Sequence, residues 1–118
     1  PMPSSSKLLM LVDDDQFLLD MYAVKFKEGG FSVRAFADPE AALADLRDGT
    51  DPDIILFDMV MPGMDGTEFL ARMRKENLAR RAALVVLSNQ NDAAGMEAME
   101  KKGVHGYILK RTPYLPMC

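Results

Sequence analysis

Hydrophobic positions along the chain follow two alternating periods, and each change of period marks an element boundary. Lys7–Val12 (KLLMLV), Ile54–Phe57 (IILF) and Ala83–Leu87 (ALVVL) are essentially continuous apolar runs. Runs this short predict strands buried on both faces. Ser32–Ala37 and Val104–Leu109 are mixed, with Arg34 and His105 inside them. They predict strands at the edges of a sheet. Helical spacing fills the intervals. Gln16 to about Glu28 carries Phe17, Leu18, Met21, Tyr22, Val24 and Phe26, a broad apolar face, and Gly29-Gly30 ends it. Asp38-Pro39-Glu40 is a capping acid, a first-turn proline and an acid at the positive dipole end. The helix it opens carries Leu43 and Leu46 and stops near Gly49. Asp65 caps a third helix running to about Glu76, and Asn91 or Asp92 caps a fourth that runs to Lys102 and stops at Gly103.

Five strands alternating with helices imply a parallel sheet with helices on both faces. With the three apolar strands central and the two mixed strands at the edges, the expected fold is α/β, a flavodoxin-like (βα)5 three-layer sandwich with strand order 2-1-3-4-5. The 118 residues suffice for one core. Residues 1–6 read as a flexible polar lead, 7–112 as the domain, and 113–118 as a short tail. Composition removes several alternatives. A net charge of −4 with no Lys/Arg cluster argues against a nucleic-acid surface. No apolar run approaches the roughly 20 residues of a membrane span, and the N-terminus lacks a signal-peptide pattern. The expectation is a cytoplasmic protein with neither membrane nor nucleic acid as partner. The one cysteine, Cys118, has no Cys or His neighbour for a disulfide or a metal.

The chemistry sits where the strands end. The first strand is followed by Asp13-Asp14-Asp15, the third by Asp58, the fourth by Ser88 and the fifth by Lys110. A parallel sheet brings all these ends to one side, where open α/β sheets bind ligands. One aspartate suffices to cap a helix, so three acids in a row after a buried strand favour a metal site. Clustered carboxylates repel one another, and a hard cation such as Mg2+, with oxygen ligands completed by water, relieves the repulsion. Asp58 could then attack phosphorus as a nucleophile, while Mg2+, Lys110 and the Ser88 hydroxyl neutralise the phosphoryl oxygens.

These blocks, Val12-Asp13-Asp14, Asp58 with Met61-Pro62-Gly63-Met64-Asp65-Gly66, Ser88, and Ile108-Leu109-Lys110, occur in the order and spacing of a known family. From residue 7 to about 112 the chain resembles the receiver domain of two-component response regulators. The resemblance implies that Asp58 is the phosphoacceptor and that the donor is a phosphohistidine on a sensor histidine kinase or a phosphotransfer protein. It further implies that Asp13, Asp14, Asp58 and the Val60 backbone carbonyl hold Mg2+, with Mn2+ as a substitute. Ser88 and Tyr107 match the family's switch pair. Catalysis would be confined to the protein's own phosphoryl acceptance and slow dephosphorylation. Output would pass to a downstream protein through the face of the fourth helix and fifth strand, since no effector segment follows.

The chain departs from the family pattern at three places. Arg111 stands where proline usually follows the lysine. Asn89 replaces a smaller residue, and Val60 and Gln90 occupy positions that tune dephosphorylation. The family's fifth helix is truncated or absent here, since Pro116 disrupts any continuation past Thr112-Pro113. An uncovered apolar sheet face would then lead to a homodimer, unless the sequence is a truncated product. Two enzyme or cofactor readings fail on residues. A haloacid-dehalogenase-type phosphohydrolase needs an aspartate two positions before Asp65, where Gly63 stands. A flavin site needs a Ser/Thr/Gly loop where Asp13-Asp14-Asp15 stands. A receiver fold used as a non-phosphorylated docking or dimerisation module is the remaining alternative.

Overall fold

The computed structural model describes residues 7–88 and 93–110. Five strands and four helices alternate: β1 (Leu8–Val12), α1 (Gln16–Glu28), β2 (Ser32–Phe36), α2 (Pro39–Arg47), β3 (Ile54–Asp58), α3 (Gly66–Lys75), β4 (Ala83–Ser88), α4 (Ala93–Lys101) and β5 (Gly106–Leu109). All strand pairings are parallel, in the order β2-β1-β3-β4-β5. The edge strands are β2 and β5, as expected, though only β2 carries its polar interruption, Arg34, within the strand. On β2, Arg34 lies in solvent and pairs with Asp45 of α2 at 2.7 Å through two guanidinium nitrogens.

Local signals set the helix starts. The Asp15 carboxylate accepts from the Phe17 and Leu18 N–H groups, Asp38 from Glu40, and Asp65 from Glu68. Each such cap contributes about 1 kcal/mol. Of the three acids after β1, Asp15 is therefore the cap, which leaves Asp13 and Asp14 for other work. α1 closes when Phe31 N–H reaches back to the Phe26 carbonyl at 3.0 Å. That closure needs Gly30 at φ 101°, a conformation costly for any side chain.

Alternation along the strands divides the core into two layers. Met10, Val12, Ile55, Phe57 and Val86 face one side and meet Leu43 of α2, Phe69 of α3 and Met99 of α4. Leu9, Leu11, Leu56 and Leu87 face the other and meet Leu18, Leu19 and Tyr22 of α1. The expected face of α1 needs correction here. Phe17 and Val24 are more than half exposed, and Leu19 takes a core position instead. The 100° step between residues rotates 18, 19 and 22 onto one stripe and leaves 17 and 24 outside it. β5 is also shorter than the apolar pattern implied. His105 precedes the strand rather than lying in it.

The expectations about Arg111, Asn89, Gln90, the cap of α4, the lead over 1–6 and the tail over 113–118 lie outside the described residues. So does the expected loss of a fifth helix, on which pairing with a second copy rested. Among the described residues no helix is long and apolar enough to cross a membrane.

Candidate functional site: an acidic crevice at the carboxyl edge of the sheet

β1, β3 and β4 are buried almost end to end, so each can carry a polar group to the sheet edge without exposing its own backbone. Val12 pairs with Phe57 and Asp58 with Leu87. This register puts Asp13 and Asp58 side by side on adjacent strands. Both are almost fully buried, as is Ser88, at 0%, 4% and 8% exposure, whereas Asp14 faces solvent. Lys110 follows β5, and its N–H donates to the Ser88 carbonyl at 2.7 Å. The end of β4 thus fixes where the lysine emerges.

The lysine side chain turns inward, with 8% exposure. Its Nζ lies 3.1 Å from Asp58 Oδ2, and 3.4 and 3.2 Å from the two oxygens of Asp13. Asp13 Oδ1 also accepts the Asp15 N–H at 2.9 Å, and Asp58 Oδ1 faces the Val60 N–H at 3.4 Å. Asp13 Oδ2 is fully buried with no hydrogen-bond partner, although the ammonium is near enough to pair with it by charge. One ammonium therefore serves two buried carboxylates and leaves one oxygen unsaturated.

The electrostatics follow from that shortfall. Burial pushes the Asp13 carboxyl above its usual range, against the Asp15 N–H and the Lys110 charge. Burial likewise raises Asp58, with Lys110 opposing it and Asp13 adding to it. Burial alone would lower the Lys110 ammonium, but Asp58 and Asp13 outweigh it and the net shift is upward. One carboxylate oxygen from each of Asp13, Asp14 and Asp58 can lie within 4.8 Å of the others. A buried oxygen with an unused lone pair, among three carboxylates held at that spacing, suits a hard divalent cation with oxygen ligands.

A raised carboxyl means that the folded state disfavours the charged form. Its contribution to stability is therefore greatest at low pH and is lost as pH rises through the folded value. We expect Asp13→Asn to raise the melting temperature at neutral pH in EDTA, by a few degrees for roughly 1 kcal/mol. The gain should shrink as pH falls toward the ordinary carboxyl range. Calorimetry across that range checks it; a lower melting temperature at pH 7 would mean that Asp13 stabilises the fold instead.

The loop after β3 completes the crevice. Gly66 N–H donates to the Met59 carbonyl at 2.8 Å, which brings the first turn of α3 against the exit of β3. A Cβ on Gly66 would lie 2.9 Å from both the Asp58 carbonyl oxygen and Met59 Cα. Val60 stands out from the surface at 75% exposure. Tyr107 pairs with Val86, and Ser88 with Leu109. Tyr107 thus sits on the same face of the sheet as Ser88, about 7 Å back along the strand, packed part-buried against the layer that includes Met99 of α4.

All the predicted site residues with described positions reach this edge except Tyr107, which lies one step inside it. Two contributors were not singled out from sequence. The Asp15 N–H on Asp13 is a turn contact within the acidic triplet. Gly66 stands in the sequence as one residue of the Met61–Gly66 block, with no role of its own, because its close approach to Asp58 depends on how α3 packs.

Residues 9–114 match the family model described as the response regulator receiver domain. The nitrate/nitrite response regulator protein NarL of Escherichia coli (strain K12) is 41% identical over 66 residues, covering 56% of this chain and 30% of NarL. The DNA-binding response regulator MtrA of Mycolicibacterium smegmatis is 26% identical over 115 residues, covering 98% of this chain and 48% of MtrA. The chain thus spans about half the length, or less, of these curated relatives. Among solved structures, the response regulator protein TrrA of Thermotoga maritima, in complex with Mg(2+)-BeF, superimposes with a TM-score of 0.76 at 21% identity. That match covers 91% of this chain and 89% of the other.

Proposed function

The chain belongs to the response regulator receiver domain family, whose members act in two-component, phosphorylation-based signalling, and we propose that Asp58 is its phosphoacceptor. The observation that carries the proposal is the buried Asp58 at the end of β3, held 3.1 Å from Lys110 and beside Asp13. A structural ion pair gains little from burying two carboxylates against one ammonium, whereas a site that must receive a phosphoryl group needs such an arrangement.

The residues divide the work as follows. An oxygen of Asp58 forms the new P–O bond, and the bond from phosphorus to the donor's histidine nitrogen breaks, its electron pair returning to the imidazole. Lys110 and the Ser88 hydroxyl hold the phosphoryl oxygens. Asp13, Asp14, Asp58 and the Val60 carbonyl would hold Mg2+, or Mn2+ in its place, consistent with the donor set and with the ion named for TrrA. Bound there, the ion supplies positive charge against the phosphoryl oxygens. Ser88 and Tyr107 form the switch. As the hydroxyl turns toward the phosphoryl group, the ring follows into the space it leaves.

The donor is a sensor histidine kinase or a phosphotransfer protein. A downstream protein reads the switch on the α4–β5 face, where Ile108 and Leu109 are exposed. The receiver unit covers 7–112. MtrA, named as DNA-binding, is about twice as long as the matched segment, so the expectation of no nucleic-acid partner concerns only the residues present here.

The test is intact-mass analysis after incubation with acetyl phosphate and Mg2+. Wild-type protein should gain the mass of one phosphoryl group, and Asp58→Asn should gain none. EDTA should abolish the gain. A folded wild-type protein that takes no phosphoryl group would leave the docking-module reading in its place.

A further inference from the structure

A second site lies at the opposite edge of the sheet. A cavity of about 270 Å3 opens between the end of α3, the loop over 77–80 and the starts of β4 and β5. That is near the lower bound of small-molecule sites, about 300–1,000 Å3. Met73 and Leu84 line it as buried apolar surface, and Leu78 as part-buried surface. Arg74, Arg80 and His105 supply its ionisable groups, and no carboxylate lines it.

Three features distinguish these polar groups from ordinary surface charges. The first is the imidazole. His105 Nδ1 accepts the Leu84 N–H at 3.0 Å, and the His105 N–H donates to the Leu84 carbonyl at 2.7 Å. This clasp fixes the ring, and because Nδ1 accepts, the ring's N–H donor is on Nε2. The second is Arg80. Arg34, Arg47, Arg72 and Arg81 each pair with carboxylates, but among the described residues Arg80 has neither an ion pair nor a side-chain hydrogen bond. The third is Arg74, which spends one N–H on the Lys102 carbonyl at the end of α4 and is thereby held at the rim. The loop that shapes the mouth keeps Asn77 at φ 57° and Ala79 at φ 52°, a backbone conformation that costs Ala79 about 1–2 kcal/mol.

We propose that this cavity binds a small organic monocarboxylate with an apolar body. The carboxylate is held by the Arg80 guanidinium and the His105 Nε2–H, and the body rests against Met73, Leu78 and Leu84. The chemistry discriminates against other classes. A cation meets two guanidinium groups and no acid. A neutral apolar molecule leaves both donors unpaired. A polyphosphate finds too few donors and an apolar floor.

The probes are benzoate, phenylacetate and 4-methylpentanoate, with benzamide as the uncharged match for benzoate. Each is titrated into the whole chain and followed by amide nitrogen–proton correlation spectra. At least one carboxylate should give saturable shifts centred on Leu84, His105 and residues 77–80. Loss of a charge-assisted hydrogen bond should weaken benzamide about tenfold or more relative to benzoate. Arg80→Gln, at an exposed position, should keep the spectrum of the fold and lose the preference for the carboxylate. Phosphoryl acceptance at Asp58 should be unchanged in that variant, which separates this site from the crevice. The proposal is overturned if no carboxylate saturates, if benzamide binds as well as benzoate, if Arg80→Gln keeps the preference, or if the shifts centre on Lys110.

Discussion

Lys110→Met will cost this protein about 3 kcal/mol, the lower end of what removing one partner of a buried ion pair costs. Methionine keeps most of the volume of the lysine stem, so the loss isolates the charge. The ammonium is 8% exposed and is the side-chain cation on both Asp13 and Asp58. Without it two buried carboxylates face each other, and their charged forms become costlier still. Urea unfolding at pH 7 in EDTA reads the effect directly as a lower midpoint at constant slope. Two further outcomes are expected. Lowering the pH toward 5 should recover part of the loss, because carboxyls already raised by burial take protons more readily. Adding Asp58→Asn should also recover part of it, and the double-mutant cycle then gives the coupling between the two residues. An unchanged midpoint in the single variant would show that the crevice tolerates its charges without the lysine, and the ion-pair account of the site would fall.

Gly66→Ala should destabilise the protein, against the usual trend for a helix. Alanine gains about 1 kcal/mol over glycine in a helix interior, and hydrophobic pattern and propensity alone forecast no loss at position 66, the first residue of α3. The packing does. The added Cβ would lie 2.9 Å from the Asp58 carbonyl oxygen and from Met59 Cα, and 3.1 Å from Met59 Sδ. Two of those three atoms are backbone and cannot turn aside, so β3 and α3 must separate. Overpacking of this kind costs about 1–3 kcal/mol. The displaced backbone belongs to Asp58 itself, so phosphoryl acceptance from acetyl phosphate should slow along with the fall in melting temperature. A variant that melts at or above the wild-type temperature would show that the contact relaxes freely, and the close approach of α3 would lose its role in placing Asp58.

The layout of the sheet was legible because its signals are local. Apolar runs of four to six residues cannot sit on a half-exposed surface, so they had to be central; Arg34 marks one edge from within β2, while at the other edge His105 falls just before β5. The helix starts at Asp15, Asp38 and Asp65 are set by a carboxylate and the N–H groups within three residues of it. The face of α1 was harder to read. Phe17, Leu18 and Leu19 are all apolar, and only packing against β1 and β3 decides which two are buried.

The same division holds at the site. Strand-end chemistry and the parallel topology alone bring Asp13, Asp58, Ser88 and Lys110 to one edge, since parallel strands share an end. The sequence could not apportion the charges within that edge. That Lys110 turns inward, serves two carboxylates and leaves Asp13 Oδ2 unsaturated depends on the Ser88 carbonyl holding its backbone. Nor could it show the cavity beside His105, because the Leu84–His105 clasp joins residues 21 apart through one imidazole nitrogen. By itself the sequence determined which elements form, their order in the sheet and which reactive groups share an end, because hydrophobic period, capping and strand direction act over a few residues. Tertiary structure alone decided which groups are desolvated, which pair and which remain unspent, because those depend on distances between segments far apart in the chain.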